Sequence, residues 1–371
     1  MNVHPGESWE ETVQAVRTHI PAVKRGLCPD APFGVGLRLS ARACKQGAGR
    51  EHELRQALNE VGAYAFTVNA FPYGAFHHTR VKENVYLPDW SDPERVEYTL
   101  NAANILAAVL PEGMEGSVST VPLGYKYEPR LPRGRHQRAK FKEHLLETAT
   151  GLENIHQQTG KLIHLGLEPE PDCILETTEE TMSFFRDLFQ HPQGAMICTY
   201  IGVCLDTCHV ALQFEDPAWA LRRYQSENIR ISKIQLSAAL EVPADQVCPD
   251  DLNPFDDGVY FHQVTSSSGS RWRDLPQWRS APDPEAGLLR IHCHVPLDWP
   301  GSSSLRSTRH TLGPEFCEQV RQLDSPHLEV ETYTFGVLPP SLSRQKSVAE
   351  NMTDECAWAL DYISSLNPAD S

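Results

Sequence analysis

The chain alternates short β-rich runs with amphipathic helical patterns, and this alternation limits its fold more than any other feature. Eight runs read as strands: FGVGLRLS (33–40), AYAFTVNAF (63–71), GSVSTVPL (116–123), LIHLGLEPE (162–170), YIGVCLDT (200–207), RISKIQLS (230–237), LLRIHCHVPL (288–297) and HLEVETYTF (327–335). Between most of them apolar residues recur at helical spacing, as in Val96, Leu100, Ala103 and Ala107, or Phe141, Leu145, Leu152 and Ile155. Val348, Met352, Cys356, Leu360 and Ile363 repeat the pattern after the last run, and Val13, Val16, Ile20 and Val23 mark a helix before the first. Strands joined through helices by right-handed crossovers fit an α/β fold, a (β/α)8 barrel with an N-terminal helix. An open doubly wound sheet is the competing arrangement, and no GxGxxG turn supports it. A length of 371 residues suits one barrel with insertions.

Two segments interrupt the alternation. Residues 124–137, GYKYEPRLPRGRHQ, read as a loop over the active face. Residues 241–287 form an insertion between strands 6 and 7, over or beside that face, and GVYFHQVTSSSGSRW within it reads as an added hairpin. With no internal repeat and no linker, residues 1–371 read as a single domain.

Charge and cysteine content narrow the partners. A formal charge of −16 disfavours nucleic acid. The 10 cysteines include no CxxC pair, and the start MNVHPGESWEETV lacks a signal-peptide pattern, so a reduced, cytoplasmic protein is expected. No uncharged apolar run approaches the roughly 20 residues that span a bilayer.

Strand parity collects the ionisable residues. Glu168 and Glu170 alternate with Leu165 and Leu167, Asp206 with Leu205, Lys233 and Gln235 with Ile234 and Leu236, His292 and His294 with Ile291 and Val295, and Glu329 and Glu331 with Leu328 and Val330. They fall late in their strands, where barrel enzymes gather catalytic groups. Glu168, Asp206 and Glu331 around one mouth would repel one another without a cation. Adding His209, His292 or His294 gives mixed nitrogen and oxygen ligation suited to zinc, manganese, cobalt or iron. Asp206 could instead cap a helix, but Asp216 before Pro217 supplies a start signal of its own. Asp206 and His209 converge only if the chain turns directly after Asp206. Cys204, Cys208 and Cys293 read as small buried residues.

The succession GLEPEP, DTCH, KIQLS, HCH and EVET resembles the xylose isomerase-like barrel superfamily, which includes sugar isomerases, ketose 3-epimerases and endonuclease IV. The longer phrases GLEPEPDCILETTEET, GVCLDTCHVALQFEDP, KIQLSAAL, HCHVPL and LEVETYTF are similar to the EboE metabolite traffic proteins. The resemblance implies a metal held by Glu168, Asp206, Glu331 and His294, with Gln235 where the epimerases place a histidine. It implies proton exchange by Glu168 and Glu331, with His209 orienting a substrate oxygen. Glu170, His292, Lys233 and Arg38 are candidate substrate contacts, the last two equally candidates for ion pairs with the acids. The substrate class is a sugar-like or polyol metabolite, and the reaction an isomerisation or epimerisation. Pathway partners implied by the EboE resemblance are a TatD-like hydrolase, a prenyltransferase-like membrane protein and a sugar-phosphate cyclase-like enzyme. A non-catalytic metabolite carrier is the alternative. Endonuclease IV-like phosphodiester hydrolysis is disfavoured by charge and by the lack of two early strand histidines, where TVNAF offers only Asn69.

Overall fold

The computed structural model describes residues 2–4, 6–74, 82–128, 135–302, 305–332, 334–335 and 346–365. Residues 129–134 of the expected loop and Tyr333 of the eighth run lie outside them. The α/β barrel expected from the alternation is present. Its strands are β1 (Phe33–Arg38), β2 (Ala63–Asn69), β3 (Gly116–Thr120), β4 (Ile163–Leu167), β5 (Ile201–Asp206) and β6 (Arg230–Leu236). The insertion adds β7 (Leu240–Pro243), β8 (Val264–Ser266) and β9 (Arg271–Trp272). β10 (Leu288–Ile291), β11 (Arg306–Ser307) and β12 (Leu328–Val330) follow.

Among the described residues the parallel sheet has seven strands in the order β1-β2-β3-β4-β5-β6-β12, a nearly closed barrel. The seventh run departs from the expected ladder. β10 pairs antiparallel with β7 and β8, within a second sheet ordered β11-β7-β10-β8-β9. Only the HCHVPL stretch after β10 returns to the barrel, where Val295 N donates to Ala238 O (2.9 Å) and Thr334 Oγ1 to His294 O (2.6 Å). It therefore wedges between the extensions of β6 and β12 at the mouth. The expected hairpin is β8 with β9.

Local signals set the helices. Ser8 and Glu11 form a capping box at helix Trp9–Leu27, whose residues Val13, Val16, Ile20 and Val23 are buried as expected. Asp216 caps Pro217–Ser226 as its sequence indicated. The helix Val348–Ser365 is turned relative to expectation: Asn351, Glu355 and Ala359 are buried, while Leu360 is 59% exposed. Glu355 draws this face inward by accepting from Leu297 N (2.8 Å) and Thr332 Oγ1 (2.6 Å). The apolar period alone could not show that a carboxylate would be the anchor.

Among the described residues the parallel ladder has no rung between β12 and β1, and an ion pair with a buried lysine sits there. Glu329 reaches across Gly36 on β1, where an added Cβ would fall 1.8 Å from Glu329 Oε1. Its carboxylate pairs with Lys233, whose Nζ also donates to Ser119 Oγ (3.2 Å) on β3. Burial, the largest effect, disfavours the charged lysine, but Glu329 together with Cys204 and Glu331 more than offsets it and holds Lys233 charged.

Candidate functional site

Each acidic or imidazole side chain of the site is delivered by a strand end or the turn beyond it. Glu168 and Glu170 follow β4, Asp206 ends β5, Gln235 lies in β6, His292 and His294 follow β10, and Glu331 follows β12; all are buried. The chain turns directly after Asp206 into helix Thr207–Leu212, which brings His209 over the mouth. Asp206 also does what its local sequence seemed not to need. Its Oδ1 caps that helix, accepting from His209 N (3.0 Å) and from Ser237 Oγ (2.7 Å). Among the described residues its buried Oδ2 has no hydrogen-bond partner. Capping and a site role are therefore compatible, because the carboxylate has two oxygens.

Three neighbouring imidazoles have a fixed tautomer, and two of them, His209 and His294, stand within reach of Asp206. His209 Nδ1 meets Pro169 O (3.1 Å) and His294 Nδ1 meets Glu331 O (2.6 Å). A carbonyl can only accept, so each Nδ1 carries the hydrogen and each Nε2 keeps a lone pair. His292 Nδ1 lies 2.7 Å from Gln263 Oε1. Gln263 Nε2 donates to Pro171 O (3.3 Å), which turns its oxygen toward the ring and imposes the same tautomer. The lone pairs converge, with His209 Nε2 3.2 Å from His292 Nε2. Asp206, His209 and His294 can each offer one ligand atom within 4.8 Å of the others, and so can Glu170, His209 and His292.

Electrostatics make the cluster receptive to a cation. Burial lowers His209 to about 4 against the opposing pull of Asp206, and burial with the neighbouring rings of His209 and His294 lowers His292 well below the ordinary histidine value. Both imidazoles are thus neutral at neutral pH. Burial raises Glu170 to about 8, and its Oε1 accepts from Tyr86 OH (2.8 Å) while Oε2 is a second buried oxygen without a partner among the described residues. The fit can be tested by distance. In a tetrahedron with metal to nitrogen bonds of about 2.0–2.1 Å, two nitrogens stand about 3.3–3.4 Å apart. The 3.2 Å between His209 and His292 is close to that edge. Backbone and amide acceptors on the far ring nitrogens are the usual support of metal-bound histidines.

Glu168 and Glu331 lie beside this cluster in different surroundings. Gln235 Nε2 donates to Glu168 Oε1 (2.9 Å) and Oε2 (3.2 Å), and Asn2 Nδ2 to Glu331 Oε1 (2.7 Å) and Oε2 (2.8 Å). Each carboxylate is thus gripped by one amide. Burial, then Asp206 and Glu331, raises Glu168 well above the carboxylate range; burial, then Glu329, raises Glu331 to about 8. Gln235 faces Glu168 as a donor, which places it with the carboxylate and outside the histidine groups. Lys233 lies beneath, paired with Glu329. Arg38 lines the cavity, and its guanidinium donates to Gly6 O (3.0 Å), Gly74 O (2.8 Å) and Glu7 Oε1 (2.9 Å).

The cavity holds about 670 Å³ of free space counted out to its mouth. Glu168, Glu170, His209, His292, His294 and Glu331 line its polar end. Three contributors were not read from the sequence: Gln263, Asn2 and Tyr86. The polar FHQ in the insertion's strand-like run was a signal for Gln263, while Asn2 and Tyr86 act through contacts 329 and 84 residues away that leave no local pattern.

This fold is that of the xylose isomerase-like TIM barrels. A xylose isomerase-like TIM barrel protein from Mycobacterium smegmatis, in complex with magnesium, is 10% identical with a TM-score of 0.51, covering 98% of this chain and 91% of that one. An L-ribulose 3-epimerase is 11% identical with a TM-score of 0.51, covering 98% and 93%. A D-allulose 3-epimerase from Methylomonas sp., in complex with D-allulose, is 13% identical with a TM-score of 0.50, covering 99% and 94%. No protein-family model and no curated protein matches the sequence. Among the described residues no helix is long and apolar enough to cross a membrane.

Proposed function

We propose that this chain is a divalent-metal-dependent isomerase or epimerase of a sugar-like or polyol metabolite. The observation that carries the reading is the cluster of three Nδ1-protonated imidazoles, His209, His292 and His294, with Asp206 and its unpartnered Oδ2 beside His209 and His294. The cation would be held by Asp206, His209 and His294 or by Glu170, His209 and His292, two sets that share His209. Either set moves the metal toward the histidines, away from the Glu168, Gln235 and Glu331 positions that the epimerase resemblance emphasised. A nitrogen-rich set suits zinc, manganese, cobalt or iron. When bound, such an ion supplies Lewis-acid polarisation of substrate hydroxyl and carbonyl oxygens.

The chain's own residues supply proton transfer. Glu168 and Glu331 take and return a proton at the carbon next to the carbonyl, and Gln235 and Asn2 fix the orientation of these two carboxyls. Both carboxyls are raised by burial, and Glu331, at about 8, lies near enough to neutrality to accept and to donate. Epimerases among the structures of like fold support a sugar substrate. Incubation of metal-loaded protein with triose to hexose ketoses in D2O is expected to place deuterium on the carbon next to the carbonyl. Glu168→Gln and Glu331→Gln should each abolish the exchange. Loaded protein that exchanges none of them would reject the isomerase reading.

A second reading, an EboE-type metabolite carrier, is favoured by Gln235, an amide where the resemblance expects a metal-binding imidazole. A carrier would bind its metabolite without exchange and pass it to a partner such as the prenyltransferase-like membrane protein or the TatD-like hydrolase. Retention of metabolite binding in Glu168→Gln, with no deuterium uptake in wild type, would decide for it.

A further inference from the structure

The cavity's other end is built from aromatic rings. Tyr86 and Tyr125 stack with centroids 5.2 Å apart and planes 2° from parallel, and Phe261 continues the stack beyond Tyr125 at 5.8 Å and 22°. Phe71 meets Tyr86 edge-on at 5.9 Å. Of these rings Phe71, Tyr86 and Phe261 line the cavity, together with Pro72 and Val85. Tyr86 joins the two ends, since its ring belongs to the stack and its hydroxyl donates to Glu170.

We infer that the substrate carries a planar apolar ring, aromatic in character, next to the vicinal oxygens that the polar end binds. This deepens, and rests on, the reading of the polar end as the reacting site. A bare sugar would set hydroxyls on both ends of the cavity. Three polar groups at the aromatic end are engaged, Tyr86 OH with Glu170, Lys82 with Asp274, and Asn69 Oδ1 with Phe71 N (2.9 Å), and the Lys82 ammonium lies 5.4 Å from the Phe261 ring centroid. Hydroxyls pressed against Phe71, Pro72, Val85 and Phe261 would lose water without gaining partners. A flat ring loses nothing there and gains stacking and edge contacts. Phe261 comes from the insertion between β6 and β10, which gives that insertion a part in specificity.

Two hydroxyketones test the inference, because dihydroxyacetone and α-hydroxyacetophenone share one hydroxymethyl ketone, and the second hydroxymethyl group of the first is a phenyl ring in the other. Titration of zinc-loaded protein, followed by saturation-transfer NMR, is expected to show the phenyl compound binding about tenfold or more tightly. Phe261→Ala should remove that advantage and leave dihydroxyacetone unchanged; Phe261→Leu, which keeps most of the volume without the aromatic face, should remove most of it. Equal affinities in wild type, or an advantage that survives both variants, would overturn the inference. Benzyl alcohol with chelator-stripped protein separates this from the metal reading. Transfer to its ring protons in wild type and not in Phe261→Ala supports the aromatic subsite whether or not metal binds. Absence of transfer in wild type overturns the subsite and leaves the metal cluster standing.

Discussion

His209 Nε2 and His292 Nε2 face each other across 3.2 Å, each with its Nδ1 hydrogen committed to a different acceptor. Two lone pairs at that distance repel unless a proton or a metal ion lies between them. Burial pushes both imidazoles away from the protonated form, which leaves a metal ion as the better resolution.

Gln263 holds His292 in that tautomer, so removing its oxygen should weaken metal binding without touching a ligand. Gln263→Leu is expected to lower affinity about 10–100-fold, read by competition with a chromophoric chelator. Gln263→Glu, which keeps an acceptor, should recover most of it. Equal affinity in Gln263→Leu would show that His292 is not a ligand.

The pair of buried Lys233 with Glu329 closes the gap between β12 and β1. Lys233→Met leaves the Glu329 carboxylate without its cation and should cost about 3–5 kcal/mol in chemical denaturation. Lys233→Met with Glu329→Leu should recover much of that loss. Gly36→Ala, which intrudes on Glu329, should cost about 1–3 kcal/mol. A neutral Gly36→Ala would contradict the close approach.

Acid should destabilise the base of the barrel. His327 is lowered to about 4 by burial and by Lys233 and Arg230, and His164 is lowered well below its ordinary value by burial and His327. Unfolded histidines titrate near 6.5, so the unfolded chain takes up protons that the folded one refuses. Stability from these residues is therefore full above about pH 6.5 and is lost as pH falls toward about 4, by up to about 3 kcal/mol for His327. Raised carboxyls such as Glu355 act in the opposite direction, so the comparison is between wild type and His164→Gln/His327→Gln. Tm is expected to fall less from pH 7 to pH 5 in the double variant. An identical fall would contradict this assignment.

Strand positions were legible because alternation and β-rich runs are local. The partner of a run is not local, which is why LLRIHCHVPL looked like a seventh barrel strand when its first half pairs with β7 and β8. The acids and histidines of the mouth were legible from parity, since ionisable groups stand out against apolar neighbours. Their division of labour was not. Asp206 caps a helix with one oxygen and leaves the other without a partner among the described residues, and Gln235 turns to Glu168, both decided by atoms brought together only in the fold. Asn2 has no pattern around it that announces Glu331 as its partner.

Elemental analysis of the protein as isolated, with His292→Ala and Asp206→Ala prepared alongside, tests the metal cluster most directly. About one divalent transition-metal ion per chain is expected in wild type, falling to a small fraction in Asp206→Ala or in His292→Ala, according to which set holds it, while far-UV circular dichroism is unchanged. Wild type without metal, even after loading with zinc or manganese, would contradict the metal-dependent reading.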